Sequence, residues 1–202
     1  MSKNKQETLL FFPTVVREVH MANAAAINKK IKGGIEKIRK SEPNTIPMSW
    51  SCDLYTTIGS PTTLMQHPEF EILGKVILEE ANSFADELEM DTGRHPLKFS
   101  ECWLNIYKEG HGQEKHQHAN SVISGIYYAK ALEGSGELMI HSPFTGTMLD
   151  PPNREMNGLN IKIMPFTPKE GMMILFRSFV RHSVKPTKGK EERISIAFNL
   201  TM

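Results

Sequence analysis

Apolar residues in the N-terminal half of the chain have the spacing that is typical of helices. Isoleucines recur every three or four positions between Ile27 and Ile38, and lysines occupy half of the positions between them. This stripe predicts an amphipathic helix that packs its isoleucines on a core. A second helix is predicted between Phe70 and Leu88, where apolar residues again step by three and four, and we expect it to end before Gly93.

From residue 97 onward the pattern changes to the alternation that is typical of strands. Between residues 102 and 107, apolar side chains alternate with a second set, Trp103, Asn105 and Tyr107, which suits the lining of a pocket. Further strands are predicted at residues 122–130, 137–141, 161–164, 171–177 and 193–200. Two helices followed by six or more strands predict a mainly β, α+β protein, a sandwich or barrel with two helices packed on one side.

Length and composition restrict the class of protein. The 202 residues allow one domain, which we expect to span residues 1–202, with a helical support region over 1–96 and a β core over 97–202. The net charge of +1 argues against nucleic acid as a partner. No apolar run approaches the roughly 18 residues of a membrane helix. With two cysteines there is no disulfide framework, so we expect a cytoplasmic protein.

Three of the eight histidines have the spacing of a metal site. His116 and His118 are separated by one residue, and side chains two apart on a strand point to the same side. His182 follows the apolar run 172–176 and should lie at a strand end. An H-x-H pair with a distant histidine is typical of a facial metal site with open positions, which indicate catalysis. From spacing alone, an ordinary surface pair stays open as the alternative.

The C-terminal strand adds a candidate anion site. Arg193 and Ser195 share one face of this strand, while Ile194 and Ile196 share the other. A guanidinium beside a hydroxyl can bind a carboxylate, because arginine offers a charged fork of donors. For an isolated R-x-S pattern, an edge-strand ion pair is the alternative.

Three blocks of the C-terminal half resemble the 2-oxoglutarate- and Fe(II)-dependent oxygenases, in particular a subgroup that is common in bacteria and bacteriophages. Residues 116–128 resemble the core H-x-H-P-x-S-x-x-S-G-x-Y-Y, residues 175–186 resemble L-F-P-S-x-x-x-H-x-V-x-P, and residues 193–199 resemble R-x-S-x-x-F-N. Ala119 and Arg177 stand where this subgroup usually has proline, and we expect little effect of either on the chemistry.

The resemblance implies a double-stranded β-helix, or jelly roll, with an iron site at the three histidines. His116 and His182 would hold Fe(II), and His118 would occupy the position where most relatives have Asp or Glu. Glu114 is an alternative third ligand, which we rank below His118. A neutral imidazole in place of a carboxylate leaves the site one negative charge short, so the ligand set alone does not decide the cosubstrate.

The resemblance also implies a site for 2-oxoglutarate. Arg193 would pair with its distal carboxylate, helped by Ser195, and Tyr128 stands where some relatives have a tyrosine that hydrogen-bonds the same carboxylate. Tyr107 and Asn105 are expected near the keto-acid end. The implied activity is hydroxylation of a substrate, coupled to conversion of 2-oxoglutarate to succinate and CO₂.

Three other functions stay open at this stage, and one of them is an RNA- or DNA-directed oxygenase that uses the basic N-terminal helix. A three-histidine non-heme iron dioxygenase would bind metal without any effect of 2-oxoglutarate, and a catalytically inactive jelly-roll module would bind only a partner. The substrate, a small molecule or a peptidyl group, is not identified, and His111 and Gln113 are candidates to contact it. The oligomeric state is also open, and a homodimer is compatible with the sequence.

Overall fold

The computed structural model describes residues 4–144 and 149–202, and these contain ten strands and two α-helices. The predicted ranges 1–96 and 97–202 therefore include residues 1–3 and 145–148, which lie outside the described residues. In chain order the elements are β1 (Val16–His20), α1 (Ala24–Ser41), β2 (Tyr55–Thr56), α2 (Glu71–Glu87), β3 (Lys98–Tyr107), β4 (Gln113–His116), β5 (Ile123–Lys130), β6 (Leu138–His141), β7 (Ile163–Phe166), β8 (Met172–Arg177), β9 (His182–Val184) and β10 (Arg193–Thr201).

The strands form two antiparallel sheets. The larger sheet has six strands in the order β1-β8-β5-β10-β3-β2, and the smaller has four in the order β4-β9-β6-β7. The long central pairings are β10 with β3 and β10 with β5. This arrangement confirms the prediction of a mainly β protein with two helices. Among the described residues, no helix is both long enough and apolar enough to cross a membrane.

Both helices pack on one face of the six-stranded sheet. The predicted stripe from Ile27 to Ile38 is buried, and it belongs to the same apolar cluster as Phe84 of α2 and Leu104 of β3. A Cβ at Gly34 would lie 2.7 Å from the ring of Phe70, so glycine permits this close contact in the middle of α1. Glycine lowers the helix propensity at this position, and the close packing with Phe70 that it permits offsets that loss.

The other face of the six-stranded sheet turns towards the smaller sheet. Along β10, Ile196 and Phe198 join the helix-facing cluster, whereas the side chains of Arg193 and Ser195 are buried and line a cavity. The predicted alternation in β3 is also confirmed, because Leu104 packs on the helices while Asn105 lines the same cavity.

Several short edge strands differ from the sequence predictions, and β1 and β7 are two of them. β1 was not expected, because its sequence VREVH has two apolar residues among charged ones, and it pairs only with β8. The strand predicted at 161–164 is found at Ile163–Phe166, where pairing with β6 sets its limits. Pro165 is tolerated in β7 because this strand is at the edge of its sheet.

Candidate active site

Two strands of the smaller sheet bring the predicted metal ligands together. β4 and β9 pair antiparallel with His116 opposite His182, and His118 follows β4 by two residues. The rings of His116 and His182 have centroids 4.2 Å apart, and each lies 5.1 Å from the ring of His118. The candidate ligand atoms of the three side chains all lie within 4.8 Å of one another.

Backbone carbonyl groups orient two of the three imidazoles. Nδ1 of His116 lies 2.7 Å from the carbonyl oxygen of Glu114, and Nδ1 of His182 lies 3.0 Å from that of Val180. A carbonyl oxygen only accepts hydrogen bonds, so Nδ1 carries the proton in both rings. The lone pair is therefore on Nε2, which is the arrangement that binds a metal ion.

Arg193 is a buried cation without an acidic partner. Its side chain is 1% exposed, and no Asp or Glu of the described residues forms an ion pair with it. One Nη donates to the carbonyl oxygen of Gly136 at 3.0 Å, and the other lies 3.4 Å from Oγ of Ser195. Nε has no partner in the described part of the chain. A buried charge is costly unless it is paired, so this guanidinium is suited to an anionic ligand.

The three histidines and Arg193 line one cavity of about 250 Å³. The remaining lining is largely apolar or aromatic and includes Trp50, Ile58, Trp103, Ile126, Phe176, Val184 and Ala197. A concave, mostly apolar site with a few convergent polar groups is typical of a pocket for a small molecule or cofactor. The candidate metal ligands and the unpaired cation therefore face one enclosed space.

Residues 101–199 match the model of a protein family described as "Putative 2OG-Fe(II) oxygenase". The matched segment contains all three histidines together with Arg193. This segment is that of a 2OG-Fe(II) oxygenase. Fe(II) and 2-oxoglutarate are the cofactors of this family, as the three sequence blocks predict. A search of the curated proteins finds no match to this oxygenase.

Solved structures with the same fold are oxygenases of bacterial and viral origin. A Pseudomonas putida prolyl-4-hydroxylase is 15% identical over 92% of each chain, with a TM-score of 0.62. The viral collagen prolyl hydroxylase of Paramecium Bursaria Chlorella virus-1, in its 2OG complex, is 15% identical over 92% of this chain and 94% of its own, with a TM-score of 0.53. HygX from Streptomyces hygroscopicus, with nickel and 2-oxoglutarate bound, is 11% identical over 93% of this chain and 83% of its own, with a TM-score of 0.63. At these identities the likeness shows the fold alone.

The third imidazole of the oxygenase has a different neighbour from the other two. Nδ1 of His118 lies 3.4 Å from Nδ2 of Asn199. The Asn199 amide is oriented by Ser124, which donates to its Oδ1 at 2.7 Å, and by Glu101, which accepts from its Nδ2 at 2.7 Å. His118 therefore faces an N–H donor, whereas His116 and His182 face carbonyl acceptors.

Burial keeps all three imidazoles neutral. Removal from water lowers the pKa of His118 to about 4, and it lowers the pKa of His116 and, more strongly, of His182. Neighbouring histidines add to the effect at His118 and His182, because a second positive charge nearby is unfavourable. Neutral imidazoles bind a divalent cation without first releasing a proton.

These lowered pKa values predict that acid destabilises the metal-free oxygenase. Below the ordinary histidine pKa of 6.5, the unfolded chain takes up protons that the folded His118 does not take up until about pH 4. The free energy of unfolding should therefore fall as the pH drops from 6.5 to about 4. Thermal unfolding of metal-free protein at several pH values measures this decrease. At this chain length, each kcal/mol of lost stability lowers the melting temperature by about 2–4 °C. The variant His118→Gln should lose less stability on acidification, and an identical pH dependence would contradict the assignment.

Three further residues predicted for the cosubstrate site lie near Arg193 or in its cavity. The Arg193 guanidinium carbon is 4.0 Å from the centroid of the Tyr107 ring and 5.3 Å from that of Tyr128. The Tyr128 hydroxyl is buried without a partner in the described residues, and burial raises its pKa to about 12. Asn105 lines the cavity, with its amide oriented to donate to Thr56 Oγ1 and to accept from Nε1 of Trp103.

Glu114, the alternative third ligand, is outside the histidine cluster. Its carboxylate accepts hydrogen bonds from the backbone N–H of Ser51 and, at 3.0 Å, from Nε2 of Gln113. Among the described residues, the only group of side chains placed to hold a metal ion is the three histidines. The geometry favours His118 over Glu114, in line with the ranking from sequence.

Several residues of the site were not identified from sequence. Trp50 lies in a loop and lines the cavity, and Asn199 and Ser124 contact each other next to His118. A single tryptophan in a polar loop is a weak signal of burial. The Asn199 contact depends on a strand pairing, β10 with β5, that local patterns do not reveal.

Proposed function

We propose that the oxygenase holds Fe(II) with His116, His118 and His182, binds the distal carboxylate of 2-oxoglutarate at Arg193, and uses dioxygen to hydroxylate a substrate while 2-oxoglutarate is converted to succinate and CO₂. The observation that carries this proposal is the buried guanidinium without an acidic partner in the same cavity as three neutral imidazoles. Histidine nitrogens suit Fe(II), and a planar fork of donors suits a carboxylate.

The side chains around the cavity have defined roles in this proposal. Arg193 orients 2-oxoglutarate through its distal carboxylate. Ser195 accepts from the guanidinium, which leaves its own hydroxyl proton for a carboxylate oxygen. The unpaired Tyr128 hydroxyl offers a further donor to the same group. Fe(II) and 2-oxoglutarate, when bound, would activate dioxygen as the oxidant, and apolar residues such as Phe176 limit the entry of water.

The same proposal extends to the fold and the compartment. The two antiparallel sheets with a cavity between them support a double-stranded β-helix, or jelly roll, with the helices as an outer layer. The free thiols of Cys52 and Cys102 support a cytoplasmic location, because reducing compartments keep cysteines unpaired.

A three-histidine dioxygenase without a cosubstrate is the second candidate, and the neutral His118 is the observation that favours it. Fe(II) bound by three neutral imidazoles would keep both of its positive charges. In the first candidate, one carboxylate of 2-oxoglutarate pairs with Arg193 and the other offsets one charge of the iron, whereas the second candidate leaves the iron and Arg193 without a counterion from the described residues. This charge balance favours the first candidate.

An anaerobic titration of Fe(II) into metal-free protein, with and without 2-oxoglutarate, tests the proposal. We expect a visible charge-transfer band that requires both, because it arises when the keto acid chelates Fe(II). Iron binding without a 2-oxoglutarate-dependent band would favour the second candidate. A failure to bind iron would contradict both and support a binding module.

A further inference from the structure

A second cavity, of about 570 Å³, lies next to the cavity of the three histidines. The two cavities share Gln113 and Val184 in their linings. We call the second one the outer cavity, and its remaining lining consists of Ser51, Cys52, Asp53, Glu109, Gly110, His111, Gly112, Glu114 and Pro186. A group bound in the outer cavity is therefore close to the cavity of the three histidines, which we call the inner cavity.

The lining of the outer cavity carries uncompensated negative charge. Asp53, Glu109 and Glu114 contribute carboxylates, and no Lys or Arg of the described residues lines the cavity. The Glu114 carboxylate accepts from backbone and amide N–H groups, and the hydrogen bond from Ser51 contributes most to lowering its pKa. The carboxylates of Asp53 and Glu109 have no hydrogen bond or ion pair in the described part of the chain.

Gln113 supplies an independent sign of a missing ligand. Its side chain is 9% exposed, and its Nε2 donates to Glu114 at 3.0 Å, which fixes the orientation of the amide. Its Oε1 is buried and has no partner among the described residues. A buried carbonyl oxygen without a donor is unfavourable, and because Gln113 lines both cavities, this acceptor is suited to an N–H group of a ligand that reaches it.

We infer that the outer cavity binds a cationic nitrogen group of the substrate, a protonated amine or a guanidinium. The inference rests on the proposed function, since it names the substrate class of that site. The cation donates to Oε1 of Gln113 and is attracted by the carboxylates of Asp53 and Glu109. The carbon skeleton next to the cation then extends past Gln113 and Val184 into the inner cavity, where the histidines lie.

Matched pairs of charged and neutral probes test this inference on the full chain. The first pair is Nα-acetyl-lysine methylamide and its Nε-acetylated form, and the second is the corresponding derivatives of arginine and citrulline. Binding is measured by isothermal titration calorimetry and saturation-transfer NMR, on metal-free protein and on protein loaded anaerobically with Fe(II) and 2-oxoglutarate. We expect each cationic probe to bind at least about tenfold more tightly than its neutral partner, and to weaken as salt is added.

A double variant and a matched control assign the binding to the outer cavity. Asp53→Asn with Glu109→Gln should weaken cation binding at least about tenfold and leave the binding of Fe(II) and 2-oxoglutarate unchanged. The control, Glu79→Gln with Asp86→Asn, removes the same charge from exposed positions of α2 and should have no effect.

The outcomes separate this inference from the proposed function. Equal affinity for charged and neutral probes, or no binding of any probe while Fe(II) and 2-oxoglutarate still bind, would overturn the cation site and leave the proposed function intact. Cation binding that persists when Fe(II) and 2-oxoglutarate do not bind would instead contradict the proposed function and retain the cation site. An equal loss of binding in the control double variant would also overturn the assignment.

Discussion

Replacement of Arg193 by methionine should weaken the binding of 2-oxoglutarate at least about 100-fold without lowering the stability of the protein. The loss of affinity is expected because truncation of one partner of a buried, hydrogen-bonded charge pair costs about 2–5 kcal/mol. In this cavity no other Lys or Arg of the described residues replaces the guanidinium, since Arg193 is the only basic residue in the lining apart from the histidines.

The expected effect on stability has the opposite sign to that of most substitutions at fully buried positions. In the ligand-free protein, Arg193 is a buried charge without a counterion, and burial of such a charge is unfavourable. Methionine has a similar length and no charge, so it relieves this penalty. Loss of the hydrogen bond to the carbonyl of Gly136 offsets part of the gain, by about 1–3 kcal/mol.

Calorimetric titration of 2-oxoglutarate into anaerobic Fe(II)-loaded protein, together with thermal unfolding of the ligand-free protein, checks both effects. Arg94→Met is the matched control, because the Arg94 side chain is 85% exposed and pairs only with Asp91 at the surface. The control should change neither quantity. Retained affinity in Arg193→Met, or a clear loss of thermal stability, would show that this arginine has a structural role instead.

The elements that were predicted correctly are those in which one local pattern decides the structure. The helical period alone predicts the burial of Ile27 and Ile38, which the structure shows. The period of two correctly assigns Arg193 and Ile196 to opposite faces of β10. The apolar side chains Ile196 and Phe198 of β10 face the helices, and its polar side chains Arg193 and Ser195 face the cavity, so the alternation is unambiguous.

The parts of the site that were not predicted depend on contacts between distant segments. His116 and His182 lie opposite each other because β4 pairs with β9, and nothing in the sequence near either histidine specifies that pairing. Gln113 was a candidate only for contact with the substrate. Its buried, unpartnered Oε1 can be interpreted only from the structure, in which Nε2 donates to Glu114 and thereby fixes the orientation of the amide. Patterns along the chain predict which face a side chain occupies, whereas the partners of that side chain require the topology.

The contrast between His118 and the other two imidazoles predicts a large change of Fe(II) affinity when His118 is substituted. His116 and His182 each donate from Nδ1 to a carbonyl oxygen, but Nδ1 of His118 faces the amide N–H of Asn199. That contact favours the proton on Nε2 of His118, so binding of a metal through Nε2 requires a change of tautomer against the Asn199 donor. In the proposed iron site, we therefore expect His118 to be the weakest of the three ligands.

The His118→Asp variant should bind Fe(II) at least about tenfold more tightly than the natural chain, and the His118→Ala variant should bind it at least about tenfold more weakly. A carboxylate accepts from Nδ2 of Asn199 with one oxygen, leaves the other for the metal, and adds the negative charge that the three-histidine site lacks. Anaerobic Fe(II) titration followed by calorimetry measures both affinities, and His95→Ala, at an exposed position outside the lining of the cavity, is the control. If His118→Ala kept the affinity of the natural chain, His118 would not be a ligand. If His118→Asp bound iron more weakly than the natural chain, the Asn199 contact would not disfavour the imidazole, and the neutral ligand set would be the one to which this cavity is adapted.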